Sequence, residues 1–203
     1  MMGGKLNMKW KQGESFTRDF RWEVEPFIYR PITGVSNSAP CLITCPAHGL
    51  LPDQQFSIQG IKGPTVLNES VPEKATDWRR ATVVDPDTIE LNRINSSDFP
   101  VYVSGGYIRY RTVVDLTGYS ARMEIRDKYT KEVLYTLSTT LGNLIIDPVL
   151  QYVGFRIVEA DAVLFTWKKG EFDLELVSPD PIPIVTSLLS GDIYMLRERT
   201  TLI

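Results

Sequence analysis

Polar and apolar residues alternate along most of this chain, the mark of strands with one face buried. In "YSARMEIRD" Tyr119, Ala121, Met123 and Ile125 fall on one side, and Ser120, Arg122, Glu124 and Arg126 on the other. "EFDLELV" repeats the pattern, with Phe172, Leu174 and Leu176 opposite Asp173, Glu175 and Val177. Over residues 15–24, Phe16, Phe20, Trp22 and Val24 alternate with polar neighbours and predict one half-buried strand. "QFSIQG", "TIELN", "VLYTLS", "VGFRIV" and "GDIYML" predict further short strands. Turn-forming clusters divide them: "DPDT" at 85–88, "SGG" at 104–106, "DKYTKE" at 127–132, "SPDP" at 178–181 and "SGD" at 190–192. Only 158–167, "VEADAVLFTW", has room for a turn or two of helix. The prediction is an all-β protein.

The same pattern predicts two modules. A Pro/Gly/Ser/Asn-rich stretch over 31–40 and a second break near residue 110 enclose a turn-dense segment with strands of its own. The expected division is 1–30 plus 110–203 for a discontinuous outer domain and 31–109 for an inserted one. With 203 residues the chain is long enough for two small cores.

Composition narrows the function classes. A formal charge of -3 lacks the basic footprint of a nucleic-acid binder or a polybasic membrane anchor. No stretch of 18 apolar residues predicts a membrane span, and the N-terminal run has no apolar core of a signal peptide. The Asn-x-Ser sequons at Asn68 and Asn95 therefore carry little weight. Two cysteines cannot make a disulfide framework.

The chain's single histidine, His48, lies in "CPAHGL" at 45–50, with Cys45 beside it and Cys41 just upstream. A zinc site needs four ligands, and Cys41, Cys45 and His48 offer three. On a strand the two cysteines lie about 13 Å apart at roughly 3.3 Å per residue, too far for a shared metal or a disulfide. A thiol–imidazole pair lacks a third orienting group and an oxyanion site nearby. The expected role is a turn, with Pro46 fixing φ, Gly49 free to take a positive φ and His48 bonding backbone. The P-loop and nucleophile-elbow patterns are both absent from the sequence. Asp173 and Glu175 read as the wet side of a sheet. Asp85 and Asp87 read as turn residues. No catalytic, metal-binding or cofactor-binding residue is assigned, and the chain is not expected to be an enzyme.

Two resemblances add to this reading. The run from "ITGVSNSAPCLITCPAHGLLPDQQFSIQGIKGPTVLN" through "ATVVDPDTIELN" to "SSDFPVYVSGGYI" resembles a small β-barrel module of phage tail and virion proteins, itself similar to the β-rich domain of ubiquitin-activating enzymes. His48, Gly49, Leu50, Asp53, Ile58, Gly60, Leu67, Asn68, Val83, Val84, Asp85, Thr88, Leu91, Ser104, Gly105 and Gly106 carry it. In that module Gly and an aromatic usually follow "LN"; here "ESVPEKATDWRR" intervenes and predicts a longer loop. The flanks, with "QGESF" at 12–16, "DLTGYSARMEIR" at 115–126, "GEFDLEL" at 170–176 and "LSGDI" at 189–193, resemble the Ig-like N-terminal domain of baseplate upper proteins of tailed phages. The first strand of that family runs within a few residues into "DLTGY", so the barrel module is expected as an insertion after the first strand of an Ig-like β-sandwich. "SPDPIPIV" replaces the usual hairpin turn, and Pro181 and Pro183 predict an edge or extended loop there.

The resemblance implies a non-enzymatic structural protein of a tailed bacteriophage particle (tail, baseplate, neck or collar), assembled in the host cytoplasm. Its partners would be other virion proteins and copies of itself in a symmetric assembly, with neither nucleic acid nor membrane. Tethers are expected at residues 1–11 and in the C-terminal "LRERTTLI", and a third contact in the loop 69–80. The contact residues expected are Trp10, Trp78, Arg79, Arg80, Arg197 and Arg199, because Trp and Arg are enriched at interface hot spots. The alternative is a surface accessory module that binds a host receptor or carbohydrate through Trp78, Phe99 and Tyr102.

Overall fold

A computed structural model describes residues 4–197. In chain order the strands are β1 (Gly4–Lys5), β2 (Met8–Lys11), β3 (Phe16–Phe20), β4 (Glu23–Pro31), β5 (Gly34–Val35), β6 (Cys41–Thr44), β7 (Gln55–Gln59), β8 (Arg79–Arg80), β9 (Thr82–Asp85), β10 (Thr88–Leu91), β11 (Tyr107–Val113), β12 (Ser120–Asp127), β13 (Val133–Ser138), β14 (Leu144–Asp147), β15 (Tyr152–Ile157), β16 (Lys169–Val177) and β17 (Val185–Leu196). The one α-helix among the described residues is the single turn α1 (Glu159–Ala162), within the segment where the sequence left room for one. It is far too short to cross a membrane.

The chain divides into two compact units, after Trp22 and after Val114. These borders differ from the expected 30/31 and 109/110: β4 and the end of β11 belong to the inserted unit. The predicted strand over 15–24 is two strands, β3 in the outer unit and β4 in the inserted one, broken at Arg21–Trp22. The stretch 31–40, expected to bound the inserted module, lies within it. It holds β5, and Asn37 and Ser38 bond to the Ser96 loop.

The outer unit is a sandwich. One sheet runs β1-β17-β16-β12-β13, with β2 also on β17; the other runs β14-β15-β3. Ala121, Met123 and Ile125 of β12 and Phe172, Leu174 and Leu176 of β16 are buried, as their alternation requires. Rings from both sheets meet between them: Trp10 of β2 lies 4.6 Å from Phe16 and 5.8 Å from Phe155. The outer face of the large sheet carries ion pairs, Arg122–Glu175 at 2.6 Å and Lys131–Glu171 at 2.7 Å among them. Such exposed pairs contribute little to stability, roughly 0–1 kcal/mol each.

The N-terminal arm completes this sheet. β1 and β2 pair in parallel with β17, Gly4 opposite Leu189 and Met8 opposite Ile193. Between them Leu6 crosses so close to Gly191 that a Cβ there would stand 1.8 Å from the Leu6 carbonyl oxygen. Only glycine fits. The described part of the arm, expected as a tether to a neighbour, is thus an edge of its own sheet.

The inserted unit is a second sandwich, with sheets β5-β6-β10-β9 and β4-β11-β7-β8. Cys41, Ile43, Phe56, Ile58, Ile89, Leu91, Ile108 and Tyr110 form a single core between them. The chain turns both corners itself, from β4 to β5 and from β8 to β9. Among the described residues the ladders do not continue round the corners, so the expected closed barrel is instead a pair of four-stranded sheets.

Candidate interaction surface

On β11 the even-numbered residues Ile108 and Tyr110 point into the core, so Tyr107, Arg109 and Arg111 line the outer face. The register places Tyr29 opposite Arg109 and Phe27 opposite Arg111 on β4, with Ser57 opposite Arg109 on β7. This face is a grid of aromatics and arginines.

The long loop after Asn68 folds over that grid. Asp77 organises it: its carboxylate accepts the N–H groups of Ser70 and Lys74 at 2.9 and 2.8 Å. Lys74 and Ser70 thereby hold the Asp77 carboxyl below its ordinary pKa. Trp78 follows and stacks on Phe27, 6.0 Å between centroids and 28° between planes. The guanidinium of Arg109 lies 4.8 Å from the Phe27 ring and 5.0 Å from Trp78; that of Arg111 lies 5.0 and 5.5 Å from the same rings. Arg109 also pairs with Glu73 at 2.6 Å and Glu69 at 3.2 Å. Glu73 in turn accepts the Trp78 indole N–H. Its carboxyl is held below the usual range, chiefly by Arg109 and next by Trp78. Above this fixed cluster Tyr29 and Tyr107 meet edge to face at 5.4 Å and stay 50% and 37% exposed.

The expected contact residues fare differently. Trp78 belongs to the surface, half-buried against its own sheet rather than free on a loop. Arg79 is half-buried and donates to the Asp77 carbonyl at 3.3 Å; burial lowers its pKa. Arg80 is exposed and reaches the Asp53 carbonyl at 3.3 Å. Arg197 is exposed at the end of β17, and Arg199 lies outside the described residues. Trp10 is corrected outright: at 2% exposure it is core, since its strand is covered by β3 and β15 across the sandwich. Of the other aromatics assigned to sugar stacking, Phe99 packs against the core. The Tyr102 hydroxyl is engaged by Ile32 O and Gly105 O at 2.9 and 3.0 Å. Tyr29, Tyr107, Arg109 and Arg111 were not singled out from sequence; the alternation in "YIRYRTV" was the available signal.

His48 is buried in a closed set of backbone bonds. Its Nδ1 accepts the Leu50 N–H at 3.0 Å, so the ring proton sits on Nε2 and is donated to the Asp85 carbonyl at 2.9 Å. The Tyr110 hydroxyl donates to the His48 carbonyl at 2.5 Å. Gly49 takes φ +67°, and a Cβ there would stand 3.2 Å from that hydroxyl. Cys41 and Cys45 are fully buried free thiols. Burial pushes the Cys45 thiol up to about 11 and raises Cys41 as well. Among the described residues no group of three or more His, Cys, Asp or Glu is placed to hold a metal ion.

The chain matches no protein-family model and no curated protein. The phage resemblance therefore stands on the sequence motifs alone.

Proposed function

We propose that this chain is a non-catalytic structural component of a tailed-phage particle, working through contacts with other virion proteins and with copies of itself. The observation that carries the reading is the outer face of the β4-β11-β7-β8 sheet. Two arginines and two rings are immobilised there by the loop 69–78, and two tyrosines are left exposed beside them. Trp, Tyr and Arg held rigid in this way are the residue types that dominate interface energetics, because little side-chain entropy is lost on docking. The motif order on the flanks supports assigning the partner to a phage particle.

The test is the number of copies of this chain per purified particle, measured by quantitative mass spectrometry against the major capsid protein. A fixed low number such as a multiple of three or six supports a ring or collar. Absence from particles sinks the reading. The exposed Tyr29–Tyr107 pair favours a second reading, glycan binding by a surface accessory module, in which the tyrosines replace Phe99 and Tyr102 as the stacking residues. A glycan array that responds to the wild type and not to Tyr107→Ala would support it.

A further inference from the structure

Among the described residues β4 pairs with β11 alone and is the edge of its sheet. The Ile32 N–H donates to the Gly106 carbonyl at 2.9 Å, in register with the ladder that sets Pro31 opposite Tyr107. Bonding alternates along an antiparallel pair, so Ile28, Arg30 and Ile32 face β11 with their main-chain groups. Phe27 and Tyr29 then direct their N–H and C=O groups away from the sheet. Pro31, also directed outward, has no N–H and ends the usable edge. The Pro26 carbonyl accepts from Thr112 of β11, so that residue is turned inward.

Four of the other edge strands are capped, short or charged. Asn143 caps β13, bonding the Thr136 carbonyl at 3.2 Å and the Ser138 N–H at 2.8 Å. β5 and β8 are two residues each, and β3 carries the charged, exposed Arg18 and Asp19.

We propose that the β4 edge pairs with β4 of a second copy of this chain about a two-fold axis, antiparallel, with Phe27 opposite Tyr29 of the second copy and Ile28 on the axis. This register uses what the edge offers. Two N–H and two C=O groups on each copy give four bonds across the seam, and Pro31 falls outside them. Charge agrees, because β4 begins with Glu23 and Glu25 and ends with Arg30. Antiparallel pairing sets the acidic end of one copy beside the basic end of the other, where a parallel arrangement sets like against like. The side chains agree too. Phe27 and Tyr29 lie on the outer face, so the ring cluster of one copy continues into that of the other and covers the exposed tyrosine. The interface is self-complementary, as a two-fold requires.

The inference gives the subunit-contact reading a specific partner and rests on that reading only for its place in a particle. The experiment is the mass of the full chain in solution, by light scattering on a sizing column, at a concentration on the order of 0.1 mM, where a Kd of about 10 μM already pairs most of the chain. The expected result is twice the chain mass, falling to the single mass in Tyr29→Lys. That variant should unfold near the wild-type midpoint at low concentration, since the changed side chain is half exposed on the outer face, with its ring against Tyr107. Ile28→Cys tests the register, because two residues facing each other on the axis at a non-bonded position sit about 4.5 Å apart, within disulfide reach. The buried Cys41 and Cys45 do not compete. Oxidation should cross-link Ile28→Cys to a covalent dimer. A single mass for the wild type, a Tyr29→Lys variant that still pairs, or a paired Ile28→Cys that does not cross-link would each overturn the proposal. A monomer still present at a fixed number per particle sinks the pairing alone; a dimer absent from particles sinks the particle reading alone.

Discussion

Replacing His48 by Phe separates a structural histidine from a metal ligand. The ring volume is nearly kept, so little cavity is made, and what is lost is the pair of hydrogen bonds. The Leu50 N–H, buried and bonded only to Nδ1 in this loop, becomes an unsatisfied donor costing about 1–3 kcal/mol. The Asp85 carbonyl lies in an exposed turn and can turn to water, so its bond counts at the ordinary net value of roughly 0.5–1.5 kcal/mol. The expected loss is about 2–4 kcal/mol, a large part of a stability on the order of 5–15 kcal/mol. In urea, with a slope of about 1–3 kcal/mol/M, the midpoint should fall by on the order of 1–2 M. The assay is equilibrium unfolding followed by tryptophan fluorescence, with and without added zinc. A fall of less than about 0.5 kcal/mol would refute the closed-loop account, since that is the scale of an ordinary surface change. Zinc that raised the midpoint of the wild type but not of His48→Phe would revive the metal site.

Three further outcomes follow from the structure. Both thiols should resist alkylation in the native state at pH 8 and react when unfolded. Because burial raises Cys45 from 9.0 to about 11, the folded state holds its proton longer. That contribution is therefore intact below about pH 9 and lost as pH rises toward 11. Gly191→Ala should expel the arm from β17, read as fast amide exchange over residues 4–11 while β12 and β16 stay protected. Glu73, with its carboxyl lowered by Arg109 and Trp78, should release the loop on acidification: the contribution is present above the ordinary carboxyl pKa of 4.5 and lost as pH falls through the lowered value. Glu73→Gln should shift the Trp78 fluorescence in the same direction at neutral pH.

Alternation was readable wherever one face of a strand meets a core and the other meets water, as in β12 and β16. It carried no information about which sheet a strand joins. The alternation over 15–24 continues straight through Arg21–Trp22, yet β3 pairs with β15 and β4 with β11. The partners lie far along the chain, beyond what a local pattern can encode. Trp10 misled for the same reason: its burial depends on parallel pairing with β17 at the other end of the sequence. The surface was hidden differently. Arg109 and Arg111 alternate with Ile108 and Tyr110 in "YIRYRTV", but Tyr107 is as aromatic as the inward-facing Tyr110, so the pattern does not mark it as outward. The loop 69–80 was visible as an excess over the resembled module, but its folding back over the sheet was not, because Asp77 ties it down through backbone groups.

That loop sets how the outer face of the sheet is presented. Without Glu69, Glu73 and Trp78, the Arg109 guanidinium and the Phe27 ring would stand open on the sheet. With them, the arginine is paired and the Phe27 ring of the edge strand β4 is stacked. An interface gains from such locking because the entropy of ordering long side chains has already been lost in folding. The β-sandwich beneath is an architecture open to many roles. The residues this face presents are Phe27, Tyr29, Tyr107, Trp78 and the two arginines. They sit where the extra loop meets the edge strand, so shortening the loop should leave the fold and unpair Arg109 from its two glutamates, read as a changed environment of the Arg109 side chain.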